Sequence, residues 1–369
     1  MGCSLGFMTT LLTIRPPEGD TYRIAIDGSR FVSTDGAIGS EIDTSMWWAL
    51  PGLADAHAHL TMTNTDDIKG ITEATMRSNI GATAWAHVEN GVLLILDKGG
   101  ASDLSLLSLD HDEDLRPYVE VAGAMIHPSD GYMPGFGEEV EPDALVEFVR
   151  TKASTRGGWV KIVGDWPRKG IGPLNNYPLD ILSEAVDVVH AAGARVAVHT
   201  MAASASEAVA AGADSIEHGP FLTSDDLRTL AERGGAWVPT VVNMLKFIDI
   251  LGPDSSGGRM FLDGLDTMRH NLPLAEELGV TVLAGTDMAV PQGDVAVEAM
   301  RLKEYGLSDR AATNATSTSA FDYVGRSNSI HPGESADVVF FEENPYDNVA
   351  TLRRPKLIIH RGQIIGSTP

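Results

Sequence analysis

Cysteine is nearly absent from this chain. The one residue, Cys3, excludes an intrachain disulfide and any cysteine-based zinc site. Basic residues are scarce too: 27 Lys and Arg stand against 51 Asp and Glu, a formal net charge of −24. That balance argues against nucleic-acid binding, which needs a basic footprint, and against an anionic membrane surface. No hydrophobic run approaches the ~20 residues of a membrane span. The opening MGCSLGFMTTLLTI has no basic leader and no clean apolar stretch, so it is a poor secretion signal. Gly6 also breaks the myristoylation pattern. These absences leave a cytoplasmic protein as the expectation, begun at Met1 or equally at Met8.

What is present is a core-forming composition and a rhythm. The 369 residues are 43% hydrophobic, enough for one large domain or two modest ones. Helix-like stretches close on a glycine and lead into short apolar runs: SEAVDVVHAAG into ARVAVHT, SDDLRTLAERGG into AWVPTVV, NLPLAEELG into VTVLAGTD. With GLADAHAHL, ATAWAHV, YVEVAGAMI, WVKIVGD and ADSIEHG, these make eight candidate strands. Eight βα units predict a (β/α)8 TIM barrel over residues 52–329, with an open doubly wound sheet as the alternative. The ends differ in texture. Residues 1–51 and 330–369 are helix-poor, with strand text such as YRIAIDGSRFV, ADVVFFEENP and LIIHRGQII. They are expected to pair into one small β-sandwich domain formed from both termini.

Polar residues recur where these strands end. His57 and His59 lie two apart in DAHAHL and so share a face if the segment is extended. His199 ends the fifth run, His218 the sixth and Asp287 the eighth, while Lys161 sits inside the fourth, WVKIVGD. Singly, each has a structural explanation: a hydrogen-bonded core histidine, a helix cap, or a lysine paired with Asp165. Together on the rim where barrel enzymes keep their chemistry, four imidazoles and a carboxylate suit zinc or a similar divalent ion. A lysine buried beside two cations loses its proton readily. The neutral amine can take up CO2, and the resulting carbamate could bridge two metals. The alternative is an unmodified Lys161 beside a single metal.

These residues resemble the amidohydrolase superfamily, and within it the imidazolonepropionase-like and prolidase-like (Xaa-Pro dipeptidase-like) branch. PGLADAHAHL looks like the strand-one motif and AGADSIEHGPFLTSDDLRTLAERGGAWVPT like the strand-six to strand-seven segment. GVTVLAGTD resembles strand eight, and HPGESADVVFFEENPYDN with LIIHRGQII resembles the last strands of the sandwich. The resemblance implies that His57, His59 and Asp287 hold one metal and His199 and His218 a second, with carbamylated Lys161 bridging them. The ions would be Zn2+, with Mn2+ or Fe2+ as alternatives. A hydroxide between the metals would attack a carbonyl, and Asp287 would move the proton to the leaving nitrogen. The chain departs from relatives after strand eight, where VPQGD places Gln292. It also departs at the second candidate strand, AWAHVENG, which carries His87 and Glu89, and in MIHPSDGYMPGFG, with His127 and Tyr132.

The implied activity is hydrolysis of a C–N bond in a small amide or peptide-like substrate. The alternatives are a deaminase or lactonase on a cyclic substrate, or a barrel that only binds. His87, His127 and Tyr132 are candidate substrate contacts, as are Arg168, Lys169 and Tyr177 of DWPRKGIGPLNNYP, where a cationic patch would suit a carboxylate. A surface loop is the competing reading of that patch. The remaining histidines, His111, His190, His270, His331 and His360, read as structural. The expected partners are a small molecule and further copies of the chain.

Overall fold

The computed structural model describes residues 9–63, 71–154, 157–168, 170–202 and 204–367. Met1, Cys3, Met8 and Lys169 lie outside the described residues.

Eight strands run parallel in chain order across the central sheet: β1 (Leu53–Ala58), β2 (Val92–Asp97), β3 (Tyr118–Ala122), β4 (Gly158–Val163), β5 (Arg195–Thr200), β6 (Ser215–His218), β7 (Ala236–Val238) and β8 (Thr281–Val282). A short strand, Ile126–His127, extends the line of β3 and pairs with β4. The strands are nearly continuous apolar runs because both faces are covered, and every residue of VLLILD in β2 is buried. The sheet curls, and hydrogen bonds link β1 to the segment after β8: the Ala56 amide donates to the Ala284 carbonyl at 2.7 Å, and the Asp287 amide to the His57 carbonyl at 2.8 Å. Helices cover the outside with one apolar stripe each. The helix Leu179–Ala191 buries Leu182, Ala185, Val186 and Val189, at the spacing of one helical face. The helix Ser224–Arg233 ends on Gly234 in the left-handed conformation, as its closing glycine predicts.

The structure differs from the sequence expectation at the second strand. ATAWAHV is not a strand but part of helix α1 (Glu73–Glu89), opened by a capping box at Thr72. Its buried residues Met76, Ile80, Thr83, Ala84, His87 and Val88 recur at helical spacing, whereas the local A-W-A-H order mimics alternation. Alanine is the strongest helix former, and here propensity and cap agree. The true second strand follows Gly91, so His87 does not end a strand.

Two four-stranded sheets are built from the ends of the chain. One has the order Arg30–Val32, Tyr22–Asp27, Thr9–Ile14, Gly39–Glu41, and the other Gln363–Ser367, Leu357–His360, Val338–Phe341, Trp48–Leu50. They share an apolar core that includes Leu12, Ile14, Ile24 and Phe31 from the first and Val338, Phe340 and Ile359 from the second. Alternate residues of each strand supply it, as one-sided burial requires. No described helix is long and apolar enough to cross a membrane.

Candidate metal centre

The C-terminal ends of β1, β4, β5 and β6 and the segment after β8 converge on one buried cluster. The donor atoms of His57, His59 and Asp287 lie within 4.8 Å of one another. His59 Nε2 is 3.1 Å and His57 Nε2 3.5 Å from Asp287 Oδ1. His218 Nε2 lies 3.8 Å from Asp287 Oδ2 and 3.0 Å from His199 Nδ1. Lys161 is fully buried, and its Nζ has no hydrogen-bond partner, nor has Nε2 of His199. Asp165 does not serve Lys161. Its carboxylate accepts from the amides of Met201, Ala202 and Ser204 and from the Ser204 hydroxyl, fixing the turn after β5.

Local backbone explains how neighbouring residues reach the same point. Successive strand residues face opposite ways, yet both Glu217 and His218 touch the cluster, because His218 takes a left-handed φ of 65°. Asp287 and Met288 are left-handed as well, at φ 46° and 58°. Beneath them Asp55 accepts from the Thr286 amide and hydroxyl and from the His57 amide, joining β1 to the turn that carries Asp287.

Three of the imidazoles are oriented by their second nitrogen. His59 Nδ1 lies 2.6 Å from the Gly99 carbonyl, His57 Nδ1 2.6 Å from Glu217 Oε2, and His218 Nδ1 2.6 Å from the Thr240 hydroxyl. Such partners select the tautomer and leave the other nitrogen facing inward. Glu217 in turn is paired with Lys98 at 2.9 Å and accepts from the Ser215 hydroxyl. Thr240 and Asn243 belong to the start of helix α2 (Val241–Leu251), and Asn243 donates to Asp287 Oδ2 in a short hydrogen bond. The first two amides of α2 donate to the two carboxylate oxygens of buried Glu298, each at 2.9 Å.

Electrostatics sort the cluster into neutral and charged members. Burial draws the Lys161 ammonium down to about 8, with Glu217 opposing. Burial also lowers His57, brings His218 to about 3, and, with the neighbouring His218 and Lys161, puts His199 well below the ordinary imidazole range. His59 goes the other way, because the hydrogen bond and charge of Asp287 outweigh burial. Burial would push Asp287 and Glu217 up, but the imidazoles around Asp287, and Lys98, Lys161 and His57 around Glu217, hold both carboxyls far below the usual range. Neutral imidazoles beside ionised carboxylates form a donor set suited to a divalent cation.

The fold thus brings together His57, His59, Lys161, His199, His218 and Asp287. Tyr132 joins them, its ring 5.5 Å from that of His199 and 4.5 Å from Trp166. The other candidates face elsewhere. Both nitrogens of His127 meet carbonyls, of Pro128 at 2.9 Å and Phe136 at 3.1 Å. His87 lies under the site, on α1, with Nδ1 at the Thr83 carbonyl and Nε2 3.8 Å from Asp55. Arg168 donates to Asn176, Tyr177 is buried with its hydroxyl on the Val140 carbonyl, and Gln292 donates to the Met62 carbonyl. Sequence reasoning missed Glu217, Lys98, Asn243, Glu298 and Asp55. Glu217 and Lys98 carried the same signal as Lys161, a charge beside or within an apolar strand.

A curled parallel sheet carries, at the ends of its strands, a His–His–Asp group whose donor atoms could hold a metal ion. The particular family is equally clear: the amidohydrolase family model matches residues 48–365, and the chain belongs to that family. An uncharacterized protein of Mycobacterium tuberculosis is 32% identical over 361 residues, covering 95% of this chain and 94% of the relative. A Xaa-Pro dipeptidase with bound methionine in its active site superposes with a TM-score of 0.80 at 20% identity, covering 96% of this chain and 99% of the other. The ochratoxinase of Aspergillus niger does so with a TM-score of 0.81 at 17% identity, over 98% of this chain and 96% of the other. These neighbours agree with the prolidase-like branch indicated by the motifs.

Proposed function

We propose that the chain is a metal-dependent amidohydrolase that cleaves the C–N bond of a small amide or peptide-like substrate. The observation that carries this reading is the convergence of the His57, His59 and Asp287 donors within 4.8 Å, beside the His199–His218 pair and an unpartnered Lys161. In this reading the curled sheet is a closed (β/α)8 barrel over residues 52–329, supported by the Ala56–Ala284 hydrogen bond, and residues 1–51 and 330–369 form the sandwich beside it.

His57, His59 and Asp287 would hold one divalent cation and His199 and His218 a second, with Lys161 between them. Zn2+ suits these ligands, and Mn2+ or Fe2+ would fit the same set. Bound there, the cations would polarise a carbonyl and acidify water. The protein's own groups do the rest. Lys161, its ammonium drawn to about 8, supplies amine near neutral pH. Addition of that neutral amine to CO2 forms an N–C bond and releases one proton to water, leaving a carbamate anion whose two oxygens could serve as ligands. Asp287, kept ionised by its imidazoles, accepts the proton of the attacking water at one oxygen and returns it to the leaving nitrogen. Asn243 holds its Oδ2 in place. Tyr132 and Trp166 wall the approach with aromatic surface.

Metal per chain, measured on protein prepared with bicarbonate and without chelator, tests this together with turnover of an amide and dipeptide panel. About two equivalents and amide cleavage are expected. Metal-loaded protein that opens lactones or deaminates heterocycles but leaves every amide intact would overturn the reading.

A further inference from the structure

We propose that Glu298 is a positioning residue of the metal centre: it caps helix α2 from a neighbouring helix, and so frees Thr240 to hold His218 and Asn243 to hold Asp287. This rests on the metal-dependent reading above and adds to it a residue whose carboxylate bonds to backbone amides alone.

A helix leaves its opening amides without partners of its own. A threonine before the first turn ordinarily answers with its hydroxyl, from an extended backbone. Thr240 does neither. Its φ is 48°, in the left-handed region that a β-branched residue avoids, and its side chain caps nothing in α2. The hydroxyl lies instead 2.6 Å from His218 Nδ1. The Thr240 carbonyl accepts from the Asn243 amide at 2.9 Å and the Met244 amide at 3.3 Å. The Val241 and Val242 amides remain, in a segment where both residues are buried, and left unpaired they would be costly. Glu298 takes both, one at each carboxylate oxygen. The amides from Val241 to Met244 are then all paired without the Thr240 side chain.

Glu298 is fully buried on α3 (Ala296–Glu304), the helix that follows the turn carrying Asp287. It therefore ties the helix after β7 to the helix after β8. The tie falls at a particular place. Asn243, in the first turn of α2, donates to Asp287, and Thr240, just before it, meets His218. One helix start thus grips a ligand from each of the two proposed metal positions. An apolar residue at 298 would leave the Val241 and Val242 amides empty. The nearest remedy is local: Thr240 returns to an extended φ and turns its hydroxyl to cap α2. His218 then loses its orienting partner, and the shifted first turn draws Asn243 away from Asp287.

Four proteins test this: wild type, Glu298→Leu, Thr240→Val and the double variant. Zinc affinity is read by chelator competition, and hydrogen exchange of the Val242 amide is read by NMR on the metal-free proteins. Thr240→Val removes the hydroxyl and keeps the shape of the side chain. Either single change should weaken zinc binding roughly tenfold or more, and the double should be no weaker than the worse single. Protection of Val242 should follow the opposite rule. It should survive in each single variant and collapse in the double, because only there are both caps gone. Wild-type zinc affinity in Glu298→Leu overturns the proposal, as do losses that multiply in the double variant. Val242 protection already absent in Glu298→Leu overturns it too. Glu298→Gln keeps one acceptor and should give the same pattern with smaller shifts, which serves if Glu298→Leu does not fold. Wild type that binds no zinc would fail the metal-dependent reading, and the Val242 pattern would then decide the role of Glu298 by itself.

Discussion

In the paired terminal sheets His360 is buried, but both ring nitrogens are engaged, by Asp337 at 2.7 Å and by the Arg116 carbonyl at 2.9 Å. At the rim of the curled sheet Lys161 Nζ and His199 Nε2 are buried with no partner. The backbone differs in the same way. Among the described residues, the non-glycine positions with left-handed φ are Asp130, His218, Thr240, Asp287, Met288 and Arg361, and the middle four border the cluster. Such conformations cost about 1–3 kcal/mol each and persist only where surrounding contacts enforce them. One region spends its burial on stability. The other uses stability produced elsewhere to hold groups that would rather be solvated or relaxed.

The largest test of that contrast is Lys161→Met. Turnover should fall beyond the ~10–100-fold that loss of a supporting residue costs. The metal-free protein should meanwhile gain about 1–3 kcal/mol in urea unfolding, because an unpartnered buried polar group has been removed. A variant that keeps full turnover, or that is weakened when metal-free, breaks the comparison. Phe340→Ala probes the other region. Truncating this fully buried ring in the shared core should cost about 3–5 kcal/mol. Metal bound per folded chain should not change, and a proportional loss of metal would show that the regions are not separable.

Glu217→Gln should fall between these cases. It strands Lys98 in the interior, about 3–5 kcal/mol by analogy with other broken buried pairs, and it frees His57 from its orienting carboxylate. Metal affinity should drop by roughly 10–100-fold, read by chelator competition, and unchanged affinity would remove Glu217 from the supporting role. The smallest effect concerns Glu298, whose carboxyl is pushed by burial from 4.5 to about 8. The folded state then holds this proton more tightly than the unfolded chain. Its contribution is complete below the unfolded value and drains away as pH rises through about 8. Between roughly pH 5 and pH 8 the wild type should lose on the order of 1–4 kcal/mol relative to Glu298→Gln. A difference that stays flat or grows in the opposite sense would show that Glu298 is ionised throughout.

Much of the site could be read before folding because ionisable residues inside or at the end of β-branched runs are conspicuous, as with Lys161 in WVKIVGD. Strand two could not, since an alanine-rich helix can alternate over four residues, and the longer 3.6 spacing and the cap at Thr72 decide the matter. Loop residues were guessed by nearness along the chain. His127 and Tyr177 show why that is weak: orientation turns both toward backbone carbonyls. The supporting groups were hidden for a different reason. Glu298 serves amides 57 and 56 residues away, and no local pattern records a partner at that distance.

The Asp55–Thr286 clasp has a consequence for how the protein comes into being. It ties residues 231 positions apart, and the same closure brings His57 and His59 to Asp287. A ribosome must therefore deliver most of the chain before a complete His–His–Asp set can exist. Residues 9–14 wait longer still, because the strands that complete their core end near residue 367. Long-range closure of this kind folds slowly and leaves early strands exposed to wrong partners during synthesis. The His–His–Asp group is therefore a property of the nearly complete chain and of no shorter segment.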